Sequence, residues 1–242
     1  MLQGRTQQGD VPKLCASCEV RDRGMCGALS DVQLQELSRH TVRHVHKPGD
    51  ELLGDADDIT SYATIIRGVV KLVKILEDGR QQIVGLQFAP DLIGRLFSRE
   101  SQLSAEAATE IEICRVPKPV LERMIAETPG LEHRLMQQSL RELDEARDWM
   151  VTLGRKTASE KVASFIHLIA THHVPEGVGN SLPGKIEFTL PLTRADIADF
   201  LGLTLETVSR QISKLRLDGV IELVSSRVVR VHDPAKLAAR CG

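Results

Sequence analysis

Thr193-Arg-Ala-Asp-Ile-Ala-Asp-Phe-Leu-Gly-Leu-Thr-Leu-Glu-Thr-Val-Ser-Arg-Gln-Ile-Ser-Lys-Leu215 is the stretch on which the fold turns. Thr193 and Thr204 stand where a hydroxyl can cap the first turn of a helix. Gly202 supplies a tight turn between the two helices, and Ala198 is small where they must cross. Ile197, Leu201, Leu203, Val208, Ile212 and Leu215 recur at helical spacing and would share one core. The spacing predicts helices over 194–201 and 205–217, a helix-turn-helix. The face left over carries Glu206, Thr207, Ser209, Arg210 and Ser213. Arginine can donate twice to guanine, glutamate can accept from cytosine, and hydroxyls serve either a base or a phosphate. Residues early in such a helix reach base edges first, which selects Glu206, Ser209 and Arg210 as base contacts. Thr204, Thr207, Ser213, Lys214 and Arg216 are then the candidates for phosphate or flanking contacts. Taken alone, the run also fits a capped helical hairpin with a solvated, charged face, so its neighbours decide.

Downstream, Val220–Val224 and Val228–Val231 flank Ser225-Ser226-Arg227, a closing hairpin that reads as a wing. Upstream lie a short strand, Ile186–Leu190, and a loop from His172 and His173 to Gly184. Before these, Ala158, Val162, Phe165, Ile166 and Ile169 form an amphipathic stripe. Further upstream, Lys118 to about Arg155 is helical. After Pro129-Gly130, Leu131, Leu135, Ser139, Leu143, Ala146, Met150 and Leu153 follow at steps close to a heptad seam. Charged residues flank it: Glu142, Asp144, Glu145, Arg147 and Asp148. An apolar stripe of this length is best buried against its own symmetry mate, so a homodimer is expected.

The pattern from Thr41 to Val116 is different: short apolar runs punctuated by turns. Tyr62–Ile66, Val69–Leu76, Gln82–Leu86 and Glu110–Val116 read as strands, with Glu77-Asp78-Gly79 as a hairpin tip. Such a set builds a sandwich, barrel or roll. Ahead of it, Ser30 and Gln33 form a capping box for a short helix to about Arg39. Residues 1–29 are polar and unpatterned apart from their cysteines. The resulting segments are 1–29, 30–128, 129–155 and 156–242.

Composition narrows the classes. The chain has 242 residues, 42% of them apolar, enough for packed cores, while 3% aromatics argues against base-stacking RNA or single-strand binders. Residues 150–242 carry 12 Lys+Arg against 9 Asp+Glu, and residues 1–149 carry 19 against 24. A mildly basic C-terminal part suits a phosphate backbone. No run approaches the ~20 apolar residues of a membrane span, and no signal-peptide core is visible, so a cytoplasmic, reducing setting is expected. There, five cysteines point to metal or redox work rather than bridges. Cys15-x2-Cys18-x7-Cys26 offers three thiolates, and Cys114 a fourth; Cys241 is penultimate. Four thiolates suit zinc or an iron–sulfur cluster. A thiol switch without metal, or Cys114 as a core residue, fits as well. His40, His44, His46, His172 and His173 are weaker metal candidates. No glycine-rich phosphate loop and no paired catalytic carboxylates stand out, so an enzyme is not expected.

Together these segments resemble the CRP/FNR family of bacterial transcription regulators. The resemblance runs over nearly the whole chain and implies an α+β fold: an N-terminal β-roll (cupin-like jelly roll), a long dimerisation helix and a C-terminal winged helix-turn-helix. Within the family the chain is similar to the oxygen-sensing FNR branch, on Cys15, Cys18, Cys26 and Cys114 and on Glu206-x-x-Ser209-Arg210. The x7 gap before Cys26 departs from the enterobacterial proteins and looks like the FnrL-type branch. The resemblance implies one [4Fe-4S] cluster per subunit on the four cysteines. It further implies palindromic sites of the type TTGA(T/C)-N4-(A/G)TCAA, and contact of Glu77, Asp78 and Gly79 with the sigma factor of RNA polymerase, whose alpha subunit is a further expected partner. It argues against a cyclic nucleotide, because the roll reads Gly94-Arg95 and Leu103-Ser104 where such receptors place Gly-Glu and Arg-Ser.

Overall fold

The computed structural model describes residues 11–173 and 185–242. Packing divides the chain into two compact units, Met1–Lys74 with Leu86–Leu143, and Ile75–Gly85 with Asp144–Gly242.

Unit 1 opens with a four-residue helix, α1 (Lys13–Ala16), and a 3-10 turn over Met25–Ala28. Helix α2 (Asp31–Ser38) starts in the capping box read from sequence: the Ser30 hydroxyl accepts from Gln33 N, and Gln33 Oε1 accepts from Ser30 N. Eight strands follow, β1 (Val42–His46), β2 (Glu51–Leu53), β3 (Ser61–Arg67), β4 (Val69–Ile75), β5 (Gln81–Phe88), β6 (Leu92–Ile93), β7 (Ser104–Ala107) and β8 (Ile111–Pro117). They form two sheets, ordered β1-β8-β3-β6 and β2-β7-β4-β5, the two layers of a jelly roll. Gly68 makes the tight turn from β3 to β4 at φ +95°, where an added Cβ would collide with the Glu110 carbonyl.

Side-chain alternation sorts the roll into an inner and an outer face. Ala63, Ile65, Ile111 and Ile113 are buried between the sheets with Val70, Ala105 and Ala107. Tyr62, Thr64, Cys114 and Val116 therefore point the other way. That outer face is covered by α2, by helix α3 (Lys118–Glu127) and by the first turns of helix α4 (Pro129–Arg155), in a second core that includes Met25, Leu29, Leu37, Leu121, Leu131 and Leu135. Residues 11–29 are thus packed on the roll: Val20, Met25 and Leu29 are buried.

Helix α4 has 27 residues, a length of roughly 40 Å. The boundary between the two units falls within it, after Leu143. The expected seam needs a correction at its start. Leu131 (0% exposed) and Leu135 (3%) belong to the second core of their own chain, and the free apolar stripe is Met136 (54%), Leu140 (53%), Leu143 (44%) and Met150 (72%). Leu131 and Leu135 lie on the side of α4 that covers the roll; Leu143 and Met150 of the expected seam stay in the free stripe, and Met136 and Leu140 take the places of Leu135 and Ser139.

In unit 2, helix α5 (Ala158–His173) precedes β9 (Ile186–Thr189), α6 (Arg194–Leu201), α7 (Leu205–Leu217), β10 (Ile221–Leu223), β11 (Val228–Val231) and α8 (Pro234–Ala238). The three strands form a sheet in the order β10-β11-β9. His172 and His173 end α5 rather than opening a loop, and the rest of that expected loop lies outside the described residues. Both expected caps are present. The Thr193 hydroxyl accepts from Asp196 N, the Thr204 hydroxyl from Thr207 N, and Gly202 closes α6 in the left-handed region. The hairpin tip belongs to this unit: Gln82 Nε2 donates to the Phe200 carbonyl at 3.2 Å and Gln81 Nε2 to Asp199 Oδ2. Glu77, Asp78 and Gly79 are exposed there, and Asp78 pairs with Arg80 at 2.8 Å. Trp149 of α4 packs on Phe200, ring centroids 4.5 Å apart.

The two faces of α4 separate by mutation. Leu135→Ala should lower the unfolding free energy by ~2–5 kcal/mol at every protein concentration. Leu140→Asp should leave that core intact and change only self-association, read by sedimentation. Equal loss of stability for both would return Leu140 to the core.

Candidate metal centre and nucleic-acid interface

Three elements bring the cysteines together. Cys15 sits on α1, Cys18 in the turn after it, Cys26 in the 3-10 turn, and Cys114 in the middle of β8 rather than at its end. All four line one cleft. Its other walls are apolar (Leu14, Val20, Met25, Leu37, Ile66 and Val116 among them), with two guanidiniums, Arg21 and Arg43, and the hydroxyls of Thr41 and Thr64. Among the described residues no carboxylate or imidazole lines it. Cys241 is not part of it: its thiol is hydrogen-bonded to the Leu237 carbonyl of unit 2.

The segment that carries the cysteines is tied down by arginines. Arg43 Nη2 donates to the Leu14 carbonyl at 2.7 Å while Nη1 pairs with Glu112 at 3.1 Å. Arg134, on α4, donates to the carbonyls of Asp22 and Arg23. Gly27 has no room for a side chain, since an added Cβ would lie 2.5 Å from the Asp22 carbonyl oxygen.

Cys15, Cys26 and Cys114 are held in their neutral form. Burial pushes the Cys26 thiol up to about 12, helped by the neighbouring Cys114, Cys15 and Cys18. Burial pushes Cys114 up to about 11, against a hydrogen bond from Thr41. Cys15 is raised by burial and by Cys18. A bound metal supplies the positive charge that drives such thiols to thiolates. Among the described residues no three His, Cys, Asp or Glu side chains are placed to hold a single metal ion. The histidines do not gather: His40 lies against Glu36 at 3.3 Å, His46 against Asp50 at 3.8 Å, and His172 against the Leu168 carbonyl.

The second site is the solvent face of α7. Val208, Ile212 and Leu215 are buried, which turns Glu206, Arg210, Ser213, Lys214 and Arg216 outward and leaves Ser209 half-buried. Among the described residues the side chains of Arg210, Lys214 and Arg216 have no partner within the chain, so their charge is free for an external anion. Glu206 is held below the usual carboxylate range by hydrogen bonds from its own backbone N–H and from Thr204, and stays ionised. Two expected contacts are already engaged: Ser213 Oγ donates to the Ser209 carbonyl at 2.9 Å, and the Thr207 hydroxyl accepts from Thr204 at 3.1 Å. Two arginines fasten the wing beside α6, Arg194 donating to the Ser226 carbonyl at 3.2 Å and Arg227 to the Pro191 carbonyl at 2.9 Å.

Comparison with known proteins agrees with this architecture. The family described as Crp-like helix-turn-helix domain matches residues 160–240, and the cyclic nucleotide-binding domain family matches residues 43–128. A probable transcriptional activator of Rhizobium leguminosarum bv. viciae is 54% identical over 94% of this chain and 92% of its own. The transcriptional activator protein FnrL of Cereibacter sphaeroides is 38% identical over 96% and 95%. The chain belongs to the CRP/FNR family. The crystal structure of FixK2 from Bradyrhizobium japonicum superposes with a TM-score of 0.74 at 29% identity, over 84% of this chain and 98% of that one. Like other CRP/FNR members, the chain is a DNA-binding transcription regulator and not an enzyme.

In this CRP/FNR roll, Gly94, Arg95 and Leu103 line a cavity of about 890 Å³. The Arg95 guanidinium is hydrogen-bonded to Gln102 Oε1 at 2.9 Å, and the Ser104 hydroxyl accepts from Asp55 N at 3.1 Å. The residues missed from sequence are those that frame the cysteine cleft: Arg21, Thr41, Arg43 and Thr64. Period-two alternation marks Arg43 and Thr64 as sharing faces of their strands, but only the register shows that both flank Cys114.

Raised thiol values carry a sign. A thiol whose folded pKa lies above its unfolded value near 9 leaves stability intact below that pH and removes it as pH climbs from 9 toward 12. Metal-free, reduced protein should therefore lose stability in denaturant titrations across that window, and Cys26→Ala should flatten the slope. An unchanged slope would place the Cys26 thiol in water.

Proposed function

We propose that this regulator is an oxygen-responsive activator, a homodimer holding one [4Fe-4S] cluster per subunit on Cys15, Cys18, Cys26 and Cys114. The observation that carries the reading is the donor set: four thiols from three elements line one cleft that has apolar walls, two arginines and no carboxylate. A cluster with four thiolates would have net negative charge, which Arg21 and Arg43, themselves paired with Asp22 at 2.9 Å and Glu112 at 3.1 Å, offset only in part. Cys15, Cys18, Cys26 and Cys114 would hold the cluster as thiolates. The cleft's free volume is about 30 Å³, and a group bound there would press on its outer wall, Lys13–Ala28.

Bound there, the cluster supplies iron–sulfur bonds that oxygen can break. The chain's residues pass on the result. Arg43 couples the Leu14 carbonyl to β1, and Arg134 couples the Asp22 and Arg23 carbonyls to the start of α4. A displaced Lys13–Ala28 segment therefore pulls on the helix whose free stripe, Met136, Leu140, Leu143 and Met150, forms the dimer seam. Exposed carboxylates Glu142, Asp144, Glu145 and Asp148 flank that stripe and keep association weak, though Asp144 is partly neutralised by Arg147 at 3.2 Å. A few kcal/mol at the cleft can then decide the dimer. In the dimer the two α7 helices read half-sites about one DNA turn apart, of the form TTGA(T/C)-N4-(A/G)TCAA, and the exposed Glu77-Asp78-Gly79 tip offers a contact for the sigma factor, with the alpha subunit as a second polymerase partner.

Protein purified without oxygen should be brown, with about four irons and four sulfides per chain, and should bleach in air. A colourless chain with zinc, or with neither metal, would instead support a zinc-bound or thiol-switched regulator. On DNA, Arg210→Ala should weaken binding to the palindrome by ~1–3 kcal/mol and relax one base pair. An equal loss on random DNA would assign Arg210 to phosphate.

A further inference from the structure

Strand β8 runs between β1 and β3, and the register sets three residues side by side. Arg43 on β1 pairs with Cys114, and Cys114 pairs with Thr64 on β3. Residues directly opposite in antiparallel strands project from the same face, and all three line the cysteine cleft. Each neighbour brings a donor with nowhere to go. Arg43 Nε and Thr64 Oγ1 are both sealed from solvent and have no hydrogen-bond partner, and Thr64 is only 5% exposed. The rest of Arg43 is committed, Nη2 to the Leu14 carbonyl and Nη1 to Glu112 of β8, and the Glu112 bond holds the guanidinium to the roll.

Buried donors are nearly always satisfied in folded proteins, and an orphan costs about as much as a lost hydrogen bond. Two orphans on either side of one cysteine call for an acceptor between them. No carboxylate, imidazole or side-chain amide lines the cleft among the described residues. The Thr41 hydroxyl, shared between Cys114 and the Ser38 carbonyl at 3.3 Å, is already a donor. Sulfur is the side-chain acceptor that remains.

We infer that Arg43 Nε–H and Thr64 Oγ1–H donate to the sulfurs around Cys114 when the cluster is bound, and that they set its reduction potential. Such hydrogen bonds draw electron density from sulfur and stabilise the more reduced, more negative state. Giving up an electron to dioxygen becomes harder, and the cluster lasts longer in air. The two residues are positioning residues, not ligands. The inference rests on the cluster reading above.

The test uses the full chain reconstituted without oxygen, with Thr64→Val, Thr64→Ser and Arg43→Lys beside the wild type. The midpoint potential is followed by visible absorption and the loss of colour in air by its rate. Thr64→Val keeps the side chain's shape and removes only the hydroxyl. It should shift the oxidised-to-reduced ratio about tenfold, ~59 mV lower for a one-electron couple, and speed colour loss about tenfold. Thr64→Ser should restore both. Arg43→Lys, which keeps the charge without Nε–H, should move the potential the same way. If Thr64→Val and Arg43→Lys load full iron at the wild-type potential, the inference is wrong while the cluster reading stands. If Arg43→Lys loads poorly because the tie to Leu14 is lost, Thr64→Val decides alone. A wild-type chain that takes up no cluster overturns both.

Discussion

The alternation of β8 is the constraint from which the roll and its cover are built. Ile111 and Ile113 are buried between the sheets, and the two-residue period then forces Glu112, Cys114 and Val116 to the opposite face. That face needs a cover, because Val116 and Tyr62 are as apolar as the interior is. The cover consists of α2, α3, the start of α4 and the cysteine segment, whose Met25 and Leu29 enter the same core. A thiol in the middle of a strand is thereby buried against three thiols on a short, weakly structured segment. The roll supplies rigidity, and the segment supplies adaptability. A one-residue slip of β8 would send Cys114 into the roll and put an isoleucine in its place.

Helix α4 serves two masters, and this limits its sequence. One side must fill the roll's outer core with Leu131 and Leu135, and the other leaves Met136, Leu140, Leu143 and Met150 in solvent. A helix that was apolar all round would associate irreversibly, and one that was polar on its free side would never associate. Carboxylates beside a modest apolar stripe place association between these limits. Farther along, Trp149 packs on Phe200, so the same helix also helps to build the core behind α6.

The DNA-reading half was legible because its signals are local. Caps at Thr193 and Thr204, the turn at Gly202 and the Val208-Ile212-Leu215 stripe act within a few residues of each other, and each appears where the sequence places it. The four cysteines were legible by residue type, and their convergence on one cleft depended on tertiary structure. What stayed hidden depends on register between distant strands or on which side of a helix meets a core. Arg43 and Thr64 are unremarkable in sequence and become neighbours only across β1-β8-β3. The expected seam began too early, at Leu131 instead of Met136, because Leu131 and Leu135 look like any heptad positions until the roll is built beneath them. Helix α8 went unread although Asp233-Pro234 carries a start signal, the Asp233 carboxylate accepting from Ala235 N and Lys236 N.

The neutral thiols of the cleft bear on what happens after the signal has passed. Thiolates, not thiols, attack disulfides and are the forms that oxidants convert. With Cys26 and Cys114 held up near 12 and 11, a chain stripped of metal is slow to enter the ladder of sulfenic and sulfinic damage. On the proposed cluster reading, burial of Cys26 and Cys114 would make the polypeptide reusable: a chain emptied in air could be refilled when iron and sulfide return, without resynthesis.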